Sequence, residues 1–178
     1  GELDVSIDIL DQIVDQGIDS SESAYFYGLL YKAKKNNMID DLMTYVDITD
    51  DTTRKKQCYW QMIRTIKKND NDPSLEALLY LKAVNLYDEE YKYLASLLNS
   101  FAWRMTEIGQ LLPEALEKVN YALETKEDLK IMDTKAEVLW KLGRVDEAIE
   151  VINECIQGNP EYQHYQDQKA KFLATMAL

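Results

Sequence analysis

Catalysis needs nucleophiles, acid–base groups or metal ligands gathered at one point, and these 178 residues offer few. His164 is the only histidine. Any Cys–His or Ser–His–Asp relay would have to run through it. It falls among Gln and Tyr on a predicted helix, where a surface imidazole is the plain reading. Cys58 and Cys155 lie far apart in sequence and form no C-x-x-C, so neither a zinc knuckle nor a redox pair is encoded locally. Both fit as small core residues of helices, and the sequence leaves a disulfide between them open. One histidine and two scattered cysteines do not make a typical closed zinc site. Carboxylates crowd in "DITDD" (Asp47–Asp51) and "DEE" (Asp88–Glu90), but solvated charge is their default role in so acidic a chain. "NDNDP" lacks calcium-loop spacing and its terminal Glu, and no glycine-rich phosphate loop occurs. The expectation is a protein that is not an enzyme by itself, with no catalytic, metal or cofactor site.

The formal net charge is −12, which repels phosphate backbones and argues against nucleic acid as a partner. Basic clusters at Lys32/Lys34/Lys35, Arg54/Lys55/Lys56 and Lys67/Lys68 read as helix ends or solvated faces. No apolar run approaches membrane-span length, so the expectation is a soluble protein without membrane insertion, cytoplasmic or periplasmic. The chain begins with Gly1 rather than methionine, which fits either a trimmed mature protein or a fragment of a longer one. Twelve tyrosines, several in "AYFYGLLY" and "YDEEYKYL", suit helix interfaces and binding surfaces alike.

What must position any functional group is a set of helices. Apolar spacing is helical almost throughout, and only three prolines and six glycines interrupt it. The pattern predicts helices over 4–16, 22–36, 38–46, 52–68, 74–87, 90–108, 112–125, 129–142, 145–157 and 161–175. Asp72-Pro73 places a capping carboxylate before a first-turn proline. Pro113 and Pro160 are expected to start their helices likewise, and Gly143 to make a left-handed C-cap. "KNDNDP" (Lys68–Pro73) is the most loop-like stretch, too short for a flexible linker, so one domain is expected.

Two stretches repeat. Leu98, Phe101, Ala102 and Met105 share their spacing with Met132, Lys135, Ala136 and Leu139, 34 positions later. A glycine follows each, Gly109 and Gly143. Ala115, Leu116, Val119, Ala122 and Leu123 are then echoed by Ala148, Ile149, Ile152, Cys155 and Ile156. The small residues let two antiparallel helices approach closely, and larger neighbours fill the flanking space. One hairpin cannot bury both of its faces, so hairpins stack.

Ala136, Leu139, Gly143, Ala148, Ile152, Cys155 and Pro160 follow, in order, the pattern of the tetratricopeptide repeat, a helix–turn–helix unit of 34 residues. The chain resembles that family firmly over 95–162. The resemblance implies an all-α fold of antiparallel helix hairpins in a right-handed α-α superhelix. Residues 1–72 would be degenerate hairpins, 73–94 an irregular helical connection, 95–128 one unit and 129–162 the best unit. Residues 161–178 would be a C-terminal capping helix with "QDQK" (Gln166–Lys169) on its polar outer face. Lys135 departs from the family, which has an apolar residue there.

The resemblance also implies a function: a scaffold that holds a partner protein in a groove lined by the first helix of each unit. The groove-facing positions are Asn99, Trp103 and Thr106, then Asp133, Glu137 and Trp140. Asp133 and Glu137 stand where a clamp for acidic tails needs Lys and Asn, so the expected partner is basic or aromatic. Trp103 and Trp140 could instead pack against a preceding helix. "LNSFAW" and "DTKAEVLWKLG" are, further, similar to helical tails of some bacterial thioredoxin-like proteins. On that alternative, the chain is the accessory region of a larger thiol-disulfide oxidoreductase.

Overall fold

The computed structural model describes residues 1–17, 21–69 and 72–176. They form ten helices and no strand. The expected all-α class is what the structure has. Contacts group the chain into two compact units, Gly1–Leu86 and Tyr87–Leu178.

The first unit holds α1 (Glu2–Asp15), α2 (Ser21–Asn36), α3 (Asp40–Ile48), α4 (Thr52–Asn69) and α5 (Pro73–Val84). The ion pairs Asp11–Lys32 (2.7 Å) and Asp4–Lys35 link α1 to α2. Phe26, Leu42, Cys58 and Met62, from α2, α3 and α4, are almost fully buried. Arg54, in the first turns of α4, donates to Glu22 (2.5 Å), Ser23 (3.1 Å) and the Tyr45 hydroxyl (3.1 Å). Its guanidinium also lies 5.3 Å from the Phe26 ring centre, so one side chain ties three helices through hydrogen bonds and a cation–π contact. Trp60 meets Tyr80 edge-on at 5.1 Å, joining α4 to α5. As the sequence predicts, Asp72 caps α5, accepting from the Leu75 amide at 2.9 Å, with Pro73 in the first turn.

The second unit holds α6 (Leu94–Ile108), α7 (Leu112–Thr125), α8 (Leu129–Lys141), α9 (Val145–Gly158) and α10 (Gln163–Met176). The predicted start of α6 at residue 90 is four residues early. Tyr91 N–H bonds Asp88 O and Leu94 N–H bonds Tyr91 O, so the chain makes tight turns there before the helix begins. Gly143 has φ +77°. Its N–H bonds Trp140 O, and the Arg144 N–H bonds Leu139 O, which closes α8 with the expected left-handed cap.

Ala102, Ala115, Ala122, Ala136, Ala148 and Cys155 are all fully buried, as residues at close helix crossings should be. The start of α8 meets the end of α9. The Cys155 thiol points at Leu129 O (3.6 Å), and a Cβ on Gly158 would sit 2.9 Å from the Leu129 methyls. Pro160 departs from expectation: it lies in the turn between α9 and α10, three residues before α10 begins, rather than in its first turn.

Candidate partner-binding cleft

Asp133, Glu137 and Trp140 recur every three to four residues on α8, so they share one face. That face is covered by α10. His164 Nε2 lies 3.0 Å from Asp133 Oδ2. The Gln168 amide donates to Glu137 Oε2 at 3.1 Å, and Lys171 pairs with the same oxygen. The Trp140 ring stacks on Phe172 at 5.7 Å, and its Nε1 donates to the Thr175 hydroxyl at 3.2 Å. Partners advance along both helices together, 133 with 164, 137 with 168 and 140 with 172, so α8 and α10 run parallel. Trp140 thus packs on α10. His164 is no free surface imidazole either; it is half-buried on a carboxylate.

On α6 the equivalent positions have a different setting. Asn99 and Trp103 are half-buried and border a cleft of about 320 Å³ shared with Lys130, Asp133 and Thr134 of α8. Tyr162, His164 and Tyr165 close its far side. Tyr162 and Tyr165 meet edge-on at 4.8 Å, and Tyr162 lies 5.6 Å from the imidazole. Thr106 is buried, and its hydroxyl is spent on Trp103 O at 2.6 Å. Of the six positions expected on a groove, Asn99, Trp103 and Asp133 come together at the cleft. Thr106 is internal, and Glu137 and Trp140 lie under α10.

The hydrogen bonding of the cleft is lopsided. Trp103 Nε1 donates to Glu107 (3.1 Å), the Thr134 hydroxyl to Lys130 O (3.1 Å), and His164 is engaged by Asp133. Two acceptors, Asn99 Oδ1 and Asp133 Oδ1, are buried with no hydrogen-bond partner. Burial pushes the Asp133 carboxyl above its ordinary pKa, against the pull of His164 and of the neighbouring Gln168 amide; the nearby Glu137 charge pushes the same way as burial.

Tyr162, His164, Tyr165 and Lys130 were not singled out from sequence as cleft residues. The run "YQHY" after Pro160 is the signal that could have found them, since it sets three rings within four residues.

A cleft of the first unit, about 770 Å³, has Lys34, Lys35, Arg64 and Lys68 along it. These bases sit in or near the last turns of α2 and α4, where the helix dipole favours cations. Both cysteines are free and buried, and burial raises the Cys58 thiol to about 11 and Cys155 to about 12. They are therefore neutral thiols, not nucleophiles. Among the described residues no group of three His, Cys, Asp or Glu could hold a metal ion, and no helix is long and apolar enough to cross a membrane. No protein-family model matches the chain, and no curated protein matches its sequence.

Proposed function

We propose that the chain is a protein-interaction scaffold of the tetratricopeptide type, without catalytic activity of its own. In this reading a partner segment is held in the cleft between α6, α8 and α10. The observation that carries it is the contrast between two equivalent faces. Glu137 and Trp140 on the α8 face lie under α10, whereas Asn99 and Trp103 on the α6 face stay half-exposed beside a cleft with aromatic walls. Half-exposed aromatics at a cleft are the residues that dominate partner binding where such surfaces are used. The turn after α8, the small residues at the crossings and the parallel α8–α10 pair support the hairpin-stack reading.

The partner class follows from the exposed chemistry. Free acceptors and rings in a chain of net charge −12 favour a basic or aromatic segment over an acidic one. The test is a Trp103→Ala variant assayed by titration against a panel of defined basic, aromatic and acidic peptides. Binding of a basic or aromatic peptide should fall by about tenfold or more, since an aromatic anchor is worth over about 1–2 kcal/mol. Circular dichroism should be unchanged. Equal binding by wild type and variant would remove the cleft as the binding site.

A further inference from the structure

We propose that the cleft holds a primary ammonium group, a lysine side chain of the partner polypeptide, with Asn99 and Asp133 as its acceptors and Trp103 as an aromatic wall. The inference rests on the scaffold reading above and names the chemistry of its ligand. A buried acceptor without a donor costs about 1–3 kcal/mol, and two of them belong to residues that line this one cleft. The group that answers both must bring hydrogens and carry no acceptor of its own.

The supply of donors and acceptors selects the sign. The Trp103 indole, the Thr134 hydroxyl and the His164 imidazole are all engaged within the protein. An anionic ligand would find only Lys130 to meet it, at the exposed rim. A cationic ligand would find two vacant oxygens, one of them on a carboxylate. Such charge-assisted bonds are about twice as strong as neutral ones.

Geometry then separates the two cations a polypeptide offers. A guanidinium pairs best with both oxygens of a carboxylate, as two parallel bonds. Asp133 Oδ2 is already occupied by His164, 3.0 Å away, so only Oδ1 is vacant. An ammonium is a compact charge with three rotatable donors. It satisfies Oδ1 of Asp133 and Oδ1 of Asn99 without needing the second carboxylate oxygen. The aromatic rings of the walls suit a cation as well. The way in passes Tyr162, whose side chain is about half-exposed, while His164 stays on Oδ2. A bound cation also relieves the cost of the desolvated carboxylate, because it supplies the opposite charge at the vacant oxygen.

The probe is N-acetyl-lysine N-methylamide, compared with its Nε-acetylated form, which has the same length without the charge. Binding is read from the Asn99 side-chain amide and the Trp103 indole N–H resonances. Saturable shifts with the charged probe alone are expected. Asp133→Asn should weaken binding about tenfold or more, the loss of one charge-assisted bond. Lys130→Gln should tighten it, because a repelling charge leaves the rim, and Asn99→Asp should tighten it further. These last two variants keep the test sharp if Asp133→Asn fails to fold. Equal shifts from both probes, no saturable shift, or an ordered water that the probe does not displace would overturn the inference. A basic peptide bound in a Trp103-dependent way with no response to the probe would overturn it too, while leaving the scaffold reading standing. Probe binding without any Trp103-dependent peptide would do the reverse.

Discussion

Glu137 on α8 and Lys171 on α10, 34 positions apart, form an ion pair whose two ends sit in different media. The carboxylate is buried with 7% of its side chain exposed, whereas the lysine is 39% exposed. Lys171 also lies 4.4 Å from the Trp140 ring centre, and Gln168 supplies a second, buried donor to the same carboxylate. The pair fastens α10 across the face that the sequence pattern offers to a partner.

Glu137→Ala should therefore act on stability and not on the cleft. It takes one acceptor from the buried Gln168 amide and releases Lys171, a loss of about 2–3 kcal/mol. Urea unfolding should show a lower midpoint, and lysine-probe binding by the folded fraction should be unaltered. A midpoint equal to wild type would mean that α10 is held by Trp140 and Phe172 alone.

Asp133 should make stability depend on pH in an unusual direction for an acidic residue. Burial holds its folded pKa above the ordinary 3.8, chiefly by desolvation. A raised folded value means that its favourable contribution is complete below the unfolded pKa and is lost as pH rises through the folded one. His164, Gln168 and Glu137 face the carboxyl from α10 and α8, with Lys130 and Thr134 along the same cleft wall. Compared with Asp133→Asn, wild type should lose relative stability as pH climbs from about 4. Denaturation of both proteins across that range checks the sign, and a rising difference would refute the assignment.

Neither thiol should react in the native state. Cys58 and Cys155 are fully buried, with thiols raised to about 11 and about 12 by desolvation. An aromatic disulfide reagent at pH 8 should label both only after denaturant is added. Rapid native labelling would show that these helices open far more readily than their burial implies.

Gly143→Ala should cost about 1 kcal/mol or more, because φ +77° is a left-handed conformation that a Cβ disfavours. No atom lies within 4 Å of the added Cβ, so the cost is conformational and not a clash. Gly143→Asn should recover part of it, since asparagine tolerates that region better. Thermal unfolding of the two variants makes the comparison.

Much of the helix layout was legible because its boundaries carry chemical punctuation. Asp72-Pro73 and Gly143 behave as their types require, and 112–125 is a helix end to end as predicted. The start of α6 was not legible. Tyr91 and Tyr93 continue the apolar spacing while their backbone is in turns, and spacing alone does not register a turn. At the cleft, the repeat offset pairs Asn99 with Asp133, and both residues line one cavity. The covering of Glu137 and Trp140 was hidden for the opposite reason. "QDQK" reads as a solvent-facing polar run, yet Gln168 within it is buried against Glu137. A polar residue that finds a buried polar partner looks the same in sequence as one that finds water.

The three tryptophans are spread so that each watches a different event. Trp60 is edge-on to Tyr80 where α4 meets α5, Trp140 stacks on Phe172 with the Lys171 cation close to both rings, and Trp103 borders the cleft. Single-tryptophan versions would thus be natural fluorescent reporters, one for the first unit, one for release of α10 and one for occupancy. The order in which their emission changes during unfolding would time the loosening of α10 against the melting of the helices beneath it, with no foreign dye attached.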